Sequence, residues 1–323
     1  MCSSDLRIAV LTSGGDAPGM NAAVRAVVRK GIFNNCEIFG IREGFRGILA
    51  DDIIPLQLGS VADVIQRGGT FLRTARCDEF KTSAGMDKAI ANLQRREIEA
   101  VIVIGGDGSI RGANALNERG VIAVGIPGTI DNDIPATEVT IGFDTAVNTA
   151  SNAIDKIRDT ATSHQRTFIV ELMGRRSGAI ALAAGLAAGA ESILVPELPF
   201  DLDEVCRRLE VSHRRGKLHS IILVAEGVAS AYEVASELKK RTNQDNRVIV
   251  LGHLQRGGSP TASDRILASR MASVAVDLVL AGKGGRLVVV QNGRYTDVDI
   301  SSAMVQPAVF DEEAFKLAKI LSI

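Results

Sequence analysis

Two short segments carry the residue types that phosphoryl chemistry needs. Gly105-Gly106-Asp107-Gly108-Ser109 follows an apolar run from Ala100 to Ile104 and precedes a helical pattern. A glycine-rich turn there can lay backbone N–H groups against a polyphosphate, and the Asp107 carboxylate offers a hard oxygen ligand to Mg2+. Pro127-Gly128-Thr129-Ile130-Asp131-Asn132-Asp133 follows a second apolar run, from Val121 to Ile126. It puts a hydroxyl and two carboxylates into one tight loop, where burying acids without purpose is costly. A base that takes a proton from a sugar hydroxyl beside a metal-bound nucleotide needs that equipment.

Other segments add phosphate-binding groups. Thr12-Ser13-Gly14-Gly15-Asp16-Ala17-Pro18-Gly19-Met20-Asn21 closes the first strand and opens the first helix. Gly14 and Gly15 permit close approach of a phosphate chain to the helix N-terminus, although both the GxGxxG fingerprint and the Walker lysine are missing. The turn from Arg67 to Arg76 carries Arg67, Arg73 and Arg76, and guanidinium groups suit bidentate phosphate contact. Met173-Gly174-Arg175-Arg176-Ser177-Gly178 lies between a strand and an alanine-rich helix, Glu226 follows another strand, and His253 and Arg256 stand three residues apart in a glycine-flanked turn.

These segments need elements to hold them. Apolar strand patterns occur at 8–11, 37–41, 100–104, 121–126, 167–170, 192–195, 220–225, 248–251 and 287–290, and helical patterns at 21–30, 86–96, 145–161, 178–188, 201–215, 232–241 and 262–281. That alternation predicts an α/β protein of two Rossmann-like lobes, with mostly parallel sheets and flanking helices. Ligands in such sheets sit beyond the carboxyl ends of the strands, where the informative segments fall.

With 323 residues, 46% apolar and 23% charged, the chain is long enough for two lobes and reads as a soluble globular protein. A net charge of −1 argues against general binding of nucleic acid or of anionic membranes. Cys2, Cys36, Cys77 and Cys206 are scattered, which predicts free thiols in a reducing cytoplasm. No secretory signal is visible at the start, and the longest small-apolar run, 179–190, is too short to span a bilayer.

Taken together, the chain resembles bacterial-type ATP-dependent 6-phosphofructokinases from about Arg7 to about Arg294. The pieces that carry the resemblance are TSGGDAPGMNA, RGGTFL, GGDGS, PGTIDND, MGRRSG and GHLQRGGSP. It implies the phosphofructokinase fold, with a larger ATP-binding lobe (1–140 plus 256–305), a smaller sugar-phosphate lobe (141–255) and a C-terminal helix (306–323). It implies a cytoplasmic, glycolytic kinase that moves the γ-phosphoryl group of Mg-ATP to the 1-hydroxyl of fructose 6-phosphate. By resemblance Gly15, Arg76, Cys77 and Gly105, Gly106, Asp107, Gly108 and Ser109 contact ATP, with Asp107 at Mg2+. Asp131 is the general base, Thr129 and Arg175 stabilise the transferring group, and Asp133 supports metal and loop. Met173, Gly174, Glu226, His253 and Arg256 hold the sugar phosphate, as do Thr129, Asp131 and Arg175 at the reacting end. Arg166 and Arg247 reach into a neighbouring subunit of a homotetramer.

The alternative is a pyrophosphate-dependent phosphofructokinase, whose members carry Asp where this chain has Gly108 and Lys where it has Gly128. Both glycines favour ATP. Around the adenine, Cys77, Lys81 and Arg111 depart from the family's usual residues, leaving Phe45 and Phe80 as expected apolar walls. An effector site for a phosphorylated ligand is implied by Arg25, Arg29, Arg158, Glu191, Arg215 and Lys217. Leu58, Gly59 and Leu218 depart from the residues that contact an effector nucleotide there.

Overall fold

The computed structural model describes residues 6–217 and 219–322, so Cys2 and Leu218 lie outside the described residues. In chain order the elements are β1 (Arg7–Ser13), α1 (Met20–Phe33), β2 (Glu37–Ile41), α2 (Phe45–Ala50), β3 (Ile53–Leu56), α3 (Ser83–Arg95), β4 (Ala100–Gly105), α4 (Asp107–Glu118) and β5 (Ile122–Pro127). There follow α5 (Phe143–His164), β6 (Thr167–Leu172), α6 (Ala179–Ala188), β7 (Ser192–Leu194), α7 (Leu202–Arg214), β8 (Ser220–Ala225), α8 (Ala231–Thr242) and β9 (Asn246–Val250). The chain closes with α9 (Ala262–Leu280), β10 (Arg286–Gln291), β11 (Arg294–Asp299), α10 (Ile300–Ala303) and α11 (Glu312–Leu321).

The chain divides into two compact units, and neither is one continuous stretch. The first holds the residues up to Thr129, Ile134–Asp144 and Arg256–Ala308; the second holds Ile130–Asp133, Thr145–Gln255 and the chain from Val309 on.

In the first unit, seven strands run in the order β11-β10-β5-β4-β1-β2-β3. The five central strands are mutually parallel, and β3 and β11 close the two edges antiparallel. All six residues of β4 (AVIVIG) are buried, as expected of a strand covered by helices on both faces. Alternate residues serve opposite faces, so Val101 and Val103 enter one core cluster with Leu11, Ile110, Leu116 and Leu287. The register sets Ser13 beside Gly105 and Gly105 beside Pro127, so three turns rich in glycine leave adjacent strands at one level. The chain goes from β1 outward to β2 and then returns to β4 on the other side. That reversal is the topological switch point at which open α/β sheets bind ligands.

In the second unit, four parallel strands run β7-β8-β6-β9, with Leu172 paired to Ala225 and Glu171 to Val250. The loops after β6, β8 and β9 therefore emerge side by side. The opposite end of the sheet carries Arg166, one residue before β6, and Arg247, which pairs with Phe168. The C-terminal helix α11 packs on α6 in this same unit. No helix among the described residues is long and apolar enough to cross a membrane.

Candidate active site

In the first unit the turn after β1 is bolted down by hydroxyls. Thr12 Oγ1 lies 2.6 Å from Thr70 Oγ1 and donates to the Arg73 carbonyl at 3.0 Å, and Thr74 Oγ1 donates to the Gly14 carbonyl at 2.7 Å. The Asn21 amide holds the 67–71 segment from α1, donating to the Arg67 carbonyl at 3.1 Å and accepting from the Phe71 N–H at 2.9 Å. Asp16 does not cap α1: the N-cap is Gly19, in the left-handed region at φ 107°. Arg76 and Arg73 are exposed, and Cys77 is half-buried against the core.

Arg256 lies against this same turn. Its Nη1 donates to the Asp16 carbonyl at 3.1 Å, and a Cβ on Gly15 would stand 2.5 Å from Nη1. Gly15 is thus glycine because a guanidinium occupies the place of a side chain. His253 is exposed in the 3-10 helix Gly252–Arg256, in the second unit.

The turn after β4 is equally tight. A Cβ on Gly105 would lie 2.4 Å from the Ser13 carbonyl and 2.6 Å from the Ser109 side chain. Gly106 is the N-cap of α4 and makes no side-chain cap, so the first N–H groups of the helix and its partial positive charge face the turn. Asp107 opens the helix, half-buried, and Arg111 Nε donates to its Oδ1 at 3.0 Å. At Gly108 a Cβ would meet nothing within 4 Å, which leaves open space beside Asp107.

These residues fit Mg2+. Among the described residues no group of three or more His, Cys, Asp or Glu could hold a metal ion by itself. A single carboxylate next to a phosphate cradle is how Mg2+ is commonly held, with phosphate oxygens and water completing its shell.

The turn after β5 is anchored by the Gly128 N–H, which donates to the Gly105 carbonyl at 2.9 Å, and by Thr140 Oγ1, which donates to the Thr129 carbonyl at 2.6 Å. Thr129 is buried, and a Cβ on Gly106 would lie 3.7 Å from its Cβ. Gly128 is packed: a Cβ there would lie 3.0 Å from Ile104 Cγ2 and 3.2 Å from Met20 Cε. Asp131 follows with only 6% of its surface exposed, then Asn132 at φ 48° and the half-buried Asp133.

In the second unit, Gly174 at φ 148° and Arg175 at φ 55° form a turn that one carboxylate holds. Glu226 Oε1 accepts from the Gly174 N–H at 3.2 Å and the Arg175 N–H at 2.8 Å. Glu226 therefore braces the loop through one oxygen, a role its sequence position does not announce. Met173 is buried and Arg175 exposed.

The expected effector residues separate between the units. Arg158 and Lys217 both pair with the buried Glu191, Arg158 at 3.4 Å. Arg158 also donates to the Ala188 and Gly189 carbonyls at 2.8 Å. Burial pushes the nearby His219 imidazole below its ordinary value, against the pull of the Glu191 carboxylate. Arg215 is exposed at the C-cap of α7, while Arg25 and Arg29 stand one turn apart on α1, in the first unit.

Phe45 and Phe80, the expected apolar walls beside a nucleobase, pack on each other. Their rings stack at 4.2 Å, both are buried, and Phe45 fills the space above Gly112, where a Cβ would lie 2.5 Å from Cζ. The pair belongs to the core that seats α2 against α4.

Comparison with known proteins agrees with this geometry. The family model "Phosphofructokinase" matches residues 7–279. The ATP-dependent 6-phosphofructokinase of Bacillus licheniformis is 58% identical over 317 residues, covering 98% of this chain and 99% of that protein. The enzyme of the same name from Bacillus subtilis is also 58% identical over 317 residues. Among solved structures, phosphofructokinase from Saccharomyces cerevisiae superposes with a TM-score of 0.87 at 33% identity, over 98% of this chain and 46% of that one. Pichia pastoris phosphofructokinase in the T-state gives 0.88 at 37% identity, over 99% of this chain and 39% of that one. The chain thus spans less than half the length of those two yeast chains. A pyrophosphate-dependent phosphofructokinase from Marinobacter aquaeolei shares the fold, with a TM-score of 0.84 at 22% identity. With a family model matching most of its length and full-length relatives at this identity, the chain belongs to the phosphofructokinase family.

Proposed function

We propose that the chain transfers the γ-phosphoryl group of ATP to the 1-hydroxyl of fructose 6-phosphate, as an ATP-dependent 6-phosphofructokinase working in glycolysis. The observation that carries this reading is the level exit of three turns from β1, β4 and β5, with the glycine cradle, Asp107 and Thr129 at one end of one sheet. Gly14, Gly15 and Gly105 to Ser109 bring backbone N–H groups to the phosphates, and Arg76 adds positive charge. Mg2+ held by Asp107 and ATP supplies charge neutralisation on the transferring group. Asp131 takes the proton of the 1-hydroxyl, and Thr129, Asp133 and Arg175 order the loop and the moving phosphoryl. In phosphoryl transfer such positioning and neutralisation matter more than covalent chemistry.

Met173 and Gly174 form the sugar side with His253, Arg256 and Glu226. Glu226 keeps one oxygen on the loop backbone and offers the other to sugar hydroxyls. Arg166 precedes β6 by one residue, and Arg247 lies on β9 opposite Phe168, the second residue of β6. At ~3.3 Å per residue the carboxyl end of β6 is about 20 Å from Arg166 and about 13 Å from Arg247, farther than a guanidinium reaches. This supports a homotetramer in which the two arginines serve a neighbour's sugar phosphate.

The two glycines support ATP over pyrophosphate. Open space at Gly108 leaves room for the rest of the nucleotide, and at Gly128 Ile104 and Met20 already fill the volume that a lysine would need. A coupled assay with fructose 6-phosphate and either donor tests the reading. Turnover is expected with Mg-ATP, and comparable kcat/KM with pyrophosphate would refute it.

A further inference from the structure

Arg111 is not an ordinary surface arginine. It stands one helical turn after Asp107 on α4, and it is fixed at two points. Nε donates to Asp107 Oδ1 at 3.0 Å, and Nη2 donates to the Met304 carbonyl at 2.9 Å. Met304 is the C-cap of α10 and is itself buried in the core cluster that contains Ile110 and Ala113. The guanidinium is therefore a strut from a core-anchored carbonyl to a carboxylate at the mouth of the phosphate cradle. Without it, a carboxylate at the first position of a helix is free to turn back onto the unpaired N–H groups of its own first turn. With it, Oδ1 is committed to the guanidinium, which leaves Oδ2 as the carboxylate oxygen not engaged by Arg111, next in the chain to the open space at Gly108.

We infer that Arg111 is a positioning residue that orients Asp107 so that one carboxylate oxygen is presented to the divalent cation of the metal–nucleotide complex. The inference rests on Asp107 being the metal ligand of the proposed function. A cation beside a metal site also repels the metal, so charge and orientation predict opposite outcomes, and these can be separated. Methionine and glutamine match arginine in helix propensity, so Arg111→Met and Arg111→Gln leave α4 intact. Glutamine keeps an N–H donor for Asp107 and drops the charge.

The experiment titrates Mn2+ into each variant in the presence of a non-hydrolysable ATP analogue, reading free Mn2+ by electron paramagnetic resonance without turnover. Thermal melts check that each variant is folded. Arg111→Met should weaken Mn2+ binding by about three- to tenfold, the size of one hydrogen bond, and Arg111→Gln should recover part of the loss. Unchanged or tighter binding in Arg111→Met overturns the inference, as does equal behaviour of the two variants. Asp107→Asn separates the two levels. If it weakens Mn2+ binding while Arg111→Met does not, only the role of Arg111 falls. If Asp107→Asn has no effect, the metal assignment falls and the strut with it.

Discussion

Asp131 is buried after a strand that is buried, in a loop held from Gly128 and Thr140. If Asp131 is the base of the proposed reaction, the burial and the anchored loop hold it in place for that task. Asp131→Asn keeps its shape and removes its basicity. The kcat should fall by about 10²–10⁴-fold, with fructose 6-phosphate binding little changed. Steady-state kinetics beside equilibrium binding of the sugar phosphate check this; a kcat within a few-fold of the parent would remove Asp131 from the role. At Gly128, the contacts to Ile104 and Met20 make Gly128→Lys a packing error rather than a change of donor. That variant should lose stability by about 1–3 kcal/mol in urea unfolding and gain no activity with pyrophosphate.

At the scale of elements, α2 and α3 are clamped at their C-terminal ends. Asp51, the C-cap of α2 at φ 58°, receives Arg96 Nε and Nη2 at 2.9 Å each and lies 2.8 Å from Arg95 Nη2. The Arg96 hydrogen bonds, with help from Arg95, hold the Asp51 carboxyl below its ordinary value, against the opposing effect of burial. A carboxyl lowered in the folded state contributes stability that is complete above its unfolded value, near 3.8, and is lost as pH falls through the folded value. Asn tolerates the left-handed conformation, so Asp51→Asn isolates the charge. It should cost about 1 kcal/mol near neutral pH, because the pair is partly exposed. The gap to the parent should close as pH drops below the unfolded value, and denaturant melts across that range read it.

Legibility also divides by element. The buried parallel strands announce themselves as apolar runs, and the candidate catalytic turns are written as contiguous motifs at their ends. The edge strands β3 and β11 do not: one carries Pro55, and the other reads RYTDVD, with both end residues exposed and the four between only half-buried. Contacts made across the chain are equally silent in the sequence. Nothing local to Glu226 points to the Gly174 and Arg175 amides, nothing near Gly15 points to Arg256, and an aromatic spacing does not say that Phe45 and Phe80 stack on each other rather than on a base.

At the scale of the whole molecule, composite sites have a kinetic signature. If Arg247 serves a neighbour, an inactive Arg247→Ala variant mixed with an inactive Asp131→Asn variant should regain part of the activity in hybrid tetramers. Refolded mixtures assayed against each parent alone measure it; full activity from a stable monomer would contradict sharing. Regulation belongs to this scale too. Arg158 and Lys217 pair with Glu191, and if these cations take a phosphorylated effector as the resemblance implies, the exposed Leu58 offers no guanidinium and Gly59 no side chain to a nucleotide base. Each missing contact costs on the order of 1 kcal/mol for a nucleotide. Phosphoenolpyruvate should therefore shift fructose 6-phosphate saturation more than ADP does. A strong shift by millimolar ADP with none by phosphoenolpyruvate would reverse that reading.

The interleaving of the two units also bears on inheritance. Because each is assembled from separated stretches, any single crossover between the genes of two relatives splits at least one of them. Exchange of the 145–255 cassette needs two crossovers, and the recipient still supplies 130–133 and the C-terminal helix. Surviving chimaeras in a shuffled library should therefore have breakpoints clustered near codons 144 and 255, and the lobes of this enzyme should descend together rather than as interchangeable modules.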